Sequence, residues 1–437
     1  MDCSRMSARY VAYCVQLRSA IRRFLPVSGL PLCSPDQRVR WSDRMLLIGM
    51  LLMIWHPVGS LREAFGAMRE QVVAMYPSRR RPGAHLEGFL KAWRTRSARL
   101  LRLLVGTLRV HTQRCAAAAW RWRGWVVLGV DGSRVNCPRT PANERAFGCA
   151  GKQRTAPQQL LVTLLHVATR LPWAWRRARG GGSERDLLLD MLPELPARTL
   201  LLADAGLVGY RVLTRLQAAG HDFIVRVGSN VTLLRKLGHH VRERDGIVYL
   251  WPDDQRRHAP LTLRLVLLSS GRRRVALLTS VLDERRLSAG DVAALYRRRW
   301  TLEVMHRTLK QTLGKTKLRA QTPELAACEL DASLAGLWLI GLLAHNAAQP
   351  PRLISAAAAL RVIRTAIRRG RKQTGRHWLQ RQLRAAVPDP YRRRRPKRAR
   401  DWPHKKSESP PGTPKIRTAT RHEIREAHAW KQKNNAA

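Results

Sequence analysis

The sequence predicts an α/β fold in which a mixed sheet is flanked by helices, and three observations support it. Residues 125–130 and 199–203 are continuous apolar runs, which are typical of strands buried on both faces. Residues 121–227 read as three strands, a helix, a strand, a helix and a strand, which favours an antiparallel entry followed by parallel strands. Long segments before and after this region have the period of amphipathic helices.

The charge of the chain predicts a polyanionic partner. Its 437 residues include 81 lysines and arginines against 30 aspartates and glutamates, a formal charge of +51. Such a charge repels itself unless a polyanion neutralises it, so nucleic acid is the expected partner and an acidic membrane surface the other candidate. The apolar runs 45–55 and 334–344 are shorter than the ~20 residues of a spanning helix, so we expect buried helices and no membrane.

The cysteines and the N-terminus predict a cytoplasmic protein. The seven cysteines are scattered and none forms a C-x-x-C pair, so we expect reduced thiols rather than disulfides or a zinc site. The sequence MDCSRMSARY has no apolar core after a basic start, so secretion is not expected.

The order of patterns along the chain predicts five parts. The first part is helical and basic, which suits DNA binding and equally suits an ordinary all-α domain with solvated arginines. The last part is rich in proline and arginine, which predicts a flexible, largely disordered arm, either adding phosphate contacts or dispensable. The five parts are a helical N-terminal domain (1–120), the first half of the α/β core (121–227), a β insertion (228–287), the second half of the core with its closing helices (288–383), and the basic tail (384–437).

Two aspartates, Asp131 and Asp204, each end an apolar run of the predicted sheet. In sheets of this class the side chains at strand ends line the ligand site, and a carboxylate there has no packing role. The loop of Gly180, Gly181 and Gly182 could cradle a phosphate at the following helix, although a permissive connection is the favoured interpretation.

The stretch 296–310 reads YRRRWTLEVMHRTLK and predicts one amphipathic helix. Tyr296, Arg299, Glu303 and Lys310 are three, four and seven positions apart, which at about 100° per residue places them on one face. For an isolated helix, a solvated face with ion pairs is the ordinary interpretation. A neighbouring stripe is predicted to be buried; it comprises Leu295, Leu302, Met305, Leu309 and Leu313.

Together the three acids predict a metal site for phosphoryl transfer. Asp131, Asp204 and Glu303 at one sheet edge could hold two hard divalent cations, Mg²⁺ with Mn²⁺ as a substitute. Two such ions about 4 Å apart can clamp the attacking and leaving oxygens of an in-line displacement. Arg299 and Lys310 would then hold substrate phosphates, so the chemistry and the charge both indicate DNA.

The residues around these acids resemble the DDE transposases of the IS4 type, found in bacterial insertion sequences. The resemblance lies in VVLGVDGS around Asp131, LLLADAGLVGY around Asp204, and the Y-x2-R-x3-E-x6-K signature at residues 296–310. It covers about residues 125–350, with no departure at the key positions. The four-position signature is quite specific, whereas an isolated D-G or A-D-x-G would be weak.

The resemblance implies an RNase H-like core in which Asp131, Asp204 and Glu303 bind two Mg²⁺. It implies cleavage at the transposon ends, followed by strand transfer of the freed 3′-OH into target DNA, with a hairpin intermediate in several members. By the same resemblance Tyr296, Arg299 and Lys310 contact the DNA backbone, and the protein acts as a homodimer in a synaptic complex at the bacterial nucleoid. A family tryptophan stacks on a flipped base; Trp251 lies in the β insertion, but a core position is its favoured interpretation.

Two other functions stay open on the sequence alone. A structure-specific nuclease of the same fold would use the same acids and cut without joining. A non-enzymatic DNA-binding relic would bind DNA in a salt-sensitive manner without metal-dependent cleavage.

Overall fold

The computed structural model describes most of the chain as a single large sheet with helices on both faces. The described residues are 8–26, 30–31, 36, 38–57, 59–77, 81–149, 156–240, 246–270, 273–348, 354–367, 377–387 and 412–435. The sheet has ten strands in the order β10-β6-β7-β8-β9-β5-β4-β1-β2-β3. The strands are β1 (Val126–Asn136), β2 (Gln158–His166), β3 (Leu171–Arg179), β4 (Thr199–Ala203), β5 (Asp222–Val227), β6 (Thr232–Arg235), β7 (Ile247–Leu250), β8 (Leu261–Ser270), β9 (Arg273–Thr279) and β10 (Lys415–Thr418).

The predicted antiparallel entry and parallel continuation are confirmed. β1, β2 and β3 pair antiparallel, β4 pairs parallel with β1, and β5 pairs parallel with β4. The register pairs Gly129 with Leu202, so Asp131 and Asp204 both come two residues after this pair. Since parallel strands point the same way, both aspartates lie at the same edge of the β1–β4 pair.

The prediction that the first strand ends at Asp131 is wrong. β1 continues to Asn136 because it stays paired with β2, and Asp131 faces Thr163 in that ladder. Its pairing with β4 stops at Gly129. Asp131 therefore stands where β1 loses one of its two neighbours, a split that local sequence does not reveal.

The strands of the β insertion extend the core sheet. β9 pairs antiparallel with β5 and β8 with β9, and these two long strands carry β7 and β6 beyond them. Continuous hydrogen bonding from β5 to β6 keeps this region rigidly aligned with the core.

The expectation of a flexible, largely disordered basic tail does not hold for its final part. β10 pairs parallel with β6, and a helix follows it over Arg421–Asn435. This helix packs onto the sheet through Ile424, Ala427 and Trp430. The arginine-rich sequence at 391–400 lies outside the described residues.

The helices are α1 (Ala8–Arg22), α2 (Asp43–Trp55), α3 (Leu61–Met75), α4 (Leu86–Cys115), α5 (Pro141–Phe147), α6 (Glu184–Leu189), α7 (Tyr210–Ala218), α8 (Ala289–Arg298), α9 (Trp300–Arg307), α10 (Pro323–Ala347), α11 (Ala356–Ile367), α12 (Trp378–Arg384) and α13 (Arg421–Asn435). α3 begins with a capping box, since Ser60 and Glu63 bond reciprocally. α1–α4 share one apolar core with α9–α12, so the described residues of 1–120 do not form a separate core.

The longest apolar helix is a core element. By length and composition α10 could cross a membrane, but 72% of its most apolar window is buried inside the protein. It lies between α4, α2 and α11, where its leucines and Trp338 fill the shared core.

Candidate active site

Asp204 lies at the carboxyl end of β4 and begins a single 3-10 turn. Its Oδ1 accepts a hydrogen bond from the Ala205 backbone N–H at 2.8 Å, which fixes the side chain at the turn. The same oxygen accepts the hydroxyl of Tyr296 at 3.2 Å. The side chain of Asp204 remains 38% exposed, so a ligand can reach its other oxygen.

Arg299 joins two of the three predicted acids. Its Nη2 lies 3.1 Å from Glu303 Oε1 and 3.5 Å from Asp204 Oδ2. Its guanidinium also lies over the Tyr296 ring, 5.7 Å from the centroid. The structure therefore brings Tyr296, Arg299, Glu303 and Asp204 together, and a solvated face of independent ion pairs does not describe this helix.

The prediction of one regular helix over 296–310 is wrong. The chain tightens at Arg299, where the Arg299 N–H bonds the carbonyl of Tyr296 three residues back, and α8 ends as α9 begins. Residues Thr308–Thr312 then form a π-helical turn, with Leu313 N–H bonded to the Thr308 carbonyl. Such turns often occur at functional sites, and this one carries Lys310.

The predicted buried stripe is confirmed, and it explains how these short helical pieces are held. All five of its residues are at most 6% exposed. The last four pack into the core shared with the N-terminal helices, whereas Leu295 packs with the core beneath α8. Packing of this stripe into two cores therefore holds the helical segments that carry Tyr296, Arg299 and Glu303.

The pKa of Glu303 is raised above its ordinary value, chiefly by burial. Burial raises the pKa of Glu303, Asp131 and Asp204 raise it further, and Arg299 opposes them. Burial lowers the pKa of Lys310, and the nearby Asp131 partly restores it. The pKa of Tyr296 is raised by burial and then by Asp204, so its hydroxyl keeps its proton and remains a donor.

Two further residues at this edge were missed from the sequence. The carboxylate of Glu184 lies against Gly132, where an added Cβ would come within 2.2 Å of Oε1. His306 is 6% exposed and its Nδ1 lies 3.6 Å from Asp131 Oδ2, while its Nε2 has no hydrogen-bond partner. His306 follows Glu303 by three residues, the spacing of one helical face, which was the available signal.

The donor chemistry of these side chains fits a hard divalent cation. Asp131, Asp204, Glu303 and Glu184 offer carboxylate oxygens, the ligands that Mg²⁺ prefers. Within the described residues, no three such side chains already surround a single point. In this structure the positive charge between Asp204 and Glu303 comes from Arg299.

Two other predicted features have structural roles. Trp251 is 3% exposed, its Nε1 donates to the His258 carbonyl at 2.7 Å, and Arg256 covers its ring, so it is a core residue. The triple glycine is a close turn, since a Cβ on Gly180 would lie 2.9 Å from the Gln158 carbonyl oxygen. The favoured interpretation of each, packing and a permissive connection, agrees with these contacts.

Comparison with known proteins connects this edge of the sheet to one family. Residues 123–339 match the family described as "Transposase DDE domain". The transposase InsG for insertion sequence element IS4 of Escherichia coli (strain K12) is 30% identical over an alignment of 224 residues, which covers 48% of this chain and 50% of that protein. The chain thus spans about half the length of this curated relative.

A weaker structural similarity exists to a solved complex. The cryo-EM structure of the piggyBac transposase synaptic complex with hairpin DNA matches with a TM-score of 0.38 and 11% identity, covering 88% of this chain and 84% of that one. A similarity this low supports no statement about function.

Proposed function

The chain belongs, through residues 123–339, to the DDE transposases of the IS4 type, and from this premise we propose that it moves DNA. It would cleave at the ends of its element and transfer the freed 3′-OH into target DNA. The observation that carries the proposal is that Arg299 forms ion pairs with both Asp204 and Glu303. Tyr296 donates a hydrogen bond to Asp204, and Asp131 lies on the strand next to β4.

The topology supports an RNase H-like core. The central strands run in the order β3-β2-β1-β4-β5, with β2 antiparallel and β4 and β5 parallel to β1. This order and these directions are those expected of that fold. The two aspartates on its adjacent parallel strands are then natural places for catalytic carboxylates.

Asp131, Asp204 and Glu303 would hold the divalent cations, two Mg²⁺ or Mn²⁺. When bound, such ions supply Lewis-acid activation of water and of the 3′-OH and stabilise the charge of an in-line displacement at phosphorus. The raised pKa of Glu303 fits this role because burial and repulsion from Asp131 and Asp204 both disfavour its charged form, and a bound cation would offset both.

The remaining residues of the signature would position the DNA. Arg299 is 11% exposed and held between two carboxylates, so its guanidinium is oriented in advance for a phosphate oxygen. Lys310 would place a second positive charge near Asp131. Tyr296 would keep Asp204 in its orientation through the hydroxyl that it donates.

The charge of +51 supports DNA as the partner throughout. We propose that the N-terminal helices and the basic segment around 391–400 add phosphate contacts, and that two copies act together in a synaptic complex in the bacterial cytoplasm. Domain roles follow the order of the chain: helical DNA-binding part, core, β insertion, catalytic helix and basic tail.

The experiment is strand transfer by the purified protein on labelled DNA carrying the element's own end, with a plasmid target and either Mg²⁺ or EDTA. We expect joined product in Mg²⁺ and none in EDTA. Asp131→Asn, Asp204→Asn and Glu303→Gln should each abolish it while end binding survives. Cleavage without joining would indicate the nuclease instead, and binding without either product would indicate the DNA-binding relic.

A further inference from the structure

We propose that Glu184 is a fourth carboxylate of this site and, with Asp131 and Asp204, a ligand for a divalent cation. This inference rests on the proposed function and adds to it a residue that lies outside the three predicted acids.

The position of the Glu184 carboxylate is the first reason. A Cβ on Gly132 would lie 2.2 Å from Oε1 and 2.9 Å from Oε2, so the carboxylate fills the space where a side chain would be. A Cβ on Gly206 would lie 3.9 Å from Oε2. Glu184 therefore lies between the residue that follows Asp131 and the turn that follows Asp204.

The backbone of α6 holds Glu184 in this place. Ser183 Oγ accepts the Asp186 N–H at 3.2 Å and caps the helix, which makes Glu184 its first residue. Arg185 Nε donates to the Gly206 carbonyl at 3.1 Å, which ties α6 directly to the turn after Asp204. The first bond fixes the start of α6, and the second fixes α6 relative to the turn that follows Asp204.

The Glu184 carboxylate has no directly bonded cation among the described residues. Over the described residues, its carboxylate forms no hydrogen bond or ion pair. Burial and then Asp131 raise its pKa, Asp204 adds to this, and the charges of Arg134 and His306 oppose the rise without bonding the carboxylate. Independently, His306 is 6% exposed beside Asp131 and leaves Nε2 without a partner. Partly buried like charges beside an unsatisfied imidazole are costly unless a bound cation compensates them.

The test is direct Mn²⁺ titration of the full-length protein without DNA, followed by the electron paramagnetic resonance signal of free Mn²⁺. Asp131→Asn serves as the reference that should lose binding. We expect Glu184→Gln to weaken Mn²⁺ affinity by about tenfold or more. Asp186→Asn is the matched control, since its carboxylate lies on the same helix and is 65% exposed, and it should bind as wild type does.

A second variant keeps Glu184 but displaces its carboxylate. Gly132→Ala should also weaken Mn²⁺ binding, because its new Cβ would displace the Glu184 carboxylate. Metal-free thermal melting of every variant checks folding, and Glu184→Gln should melt at the wild-type temperature or above it, since a like charge has been removed.

The outcomes separate this inference from the proposed function. Wild-type affinity in Glu184→Gln, together with lost affinity in Asp131→Asn, would overturn the role of Glu184 and leave the proposed function intact. Failure of the wild-type protein to bind Mn²⁺ would overturn both.

Discussion

Two clusters in which arginine meets carboxylate differ in how completely the charge is balanced. At the C-terminal edge of the sheet, Glu423 is 7% exposed and accepts two hydrogen bonds from Arg417, at 2.6 and 2.8 Å. It also accepts the Thr420 N–H and a bond from Arg256. At the candidate site one arginine, Arg299, serves both Asp204 and Glu303.

The pKa values of Glu423 and Glu303 reflect this difference in pairing. Hydrogen bonding from Arg417 holds the pKa of Glu423 far below its usual range, against the effect of burial. Burial and the neighbouring acids instead raise the pKa of Glu303. The first cluster is complete without a ligand and joins β10 and α13 to the sheet. In the second cluster two acids share one arginine and the pKa of Glu303 is raised, which is typical of a binding site rather than of a structural ion pair.

The largest expected effect is on catalysis at the incomplete cluster. Glu303→Gln should reduce Mg²⁺-dependent strand cleavage by on the order of 10³-fold, because a metal ligand worth several kcal/mol of transition-state stabilisation is removed. Its free energy of unfolding should stay at the wild-type value or rise slightly. Cleavage assays and urea unfolding of the same preparation check both statements; retained cleavage would remove Glu303 from the site.

At the Glu423 cluster we expect the opposite result, a loss of stability. Glu423→Gln should lower the free energy of unfolding by about 3 kcal/mol, since it removes the charge of a buried carboxylate that both Arg417 and Arg256 pair with. Arg256 would keep only its pairs with the exposed Asp253 and with Glu426 among the described residues. Glu426→Gln is the control: its carboxylate is 37% exposed and 3.7 Å from Arg256, so a change below about 1 kcal/mol is expected. Equal losses in both variants would show that the cluster has no special stability.

A smaller effect is expected from the hydroxyl that orients Asp204. Tyr296→Phe removes the 3.2 Å hydrogen bond and should slow cleavage about tenfold, as for a bond to a charged acceptor. Tyr210→Phe, which loses a bond to the Ala259 carbonyl away from the acids, is the control and should leave the cleavage rate unchanged. A wild-type rate in Tyr296→Phe would mean that Asp204 is oriented by other contacts.

The smallest expected effect is a difference between the two clusters in how their contribution to stability depends on pH. The lowered pKa of Glu423 gives stability that is present above its ordinary value of 4.5 and lost as pH falls through the folded pKa. The raised pKa of Glu303 acts oppositely: its contribution is complete below 4.5 and lost as pH rises through the folded pKa.

Melting temperatures between neutral pH and about pH 3 test this difference. Glu423→Gln should flatten the loss of stability in acid, and Glu303→Gln should gain stability over wild type mainly above pH 4.5. A parallel shift of both curves would contradict the assignment of opposite signs.

The buried strands could be predicted from sequence because a strand covered on both faces is apolar throughout. The predicted run at 199–203 coincides with β4. The four-residue signature also identified three side chains that the structure joins. Both patterns are local, and each follows from burial or helical spacing.

The rest depended on contacts between distant parts of the chain. The extension of β1 beyond Asp131 comes from its ladder with β2, and β10 forms by pairing with a strand about 180 residues earlier. The tightening at Arg299 and the π turn at 308–312 depend on how the buried stripe is packed into two cores. Glu184 gave no sequence signal as a site residue, since only the fold brings α6 to the two aspartates.

The most direct test of metal binding at the cluster of Asp204, Arg299 and Glu303 is thermal melting with Mg²⁺ and without it, at constant ionic strength and without DNA. A ligand that binds only the folded protein raises its melting temperature. We expect Mg²⁺ to raise the melting temperature of wild type and of Glu423→Gln, and to leave that of Glu303→Gln nearly unchanged. An equal rise in Glu303→Gln would contradict the assignment of this cluster as the metal-binding centre.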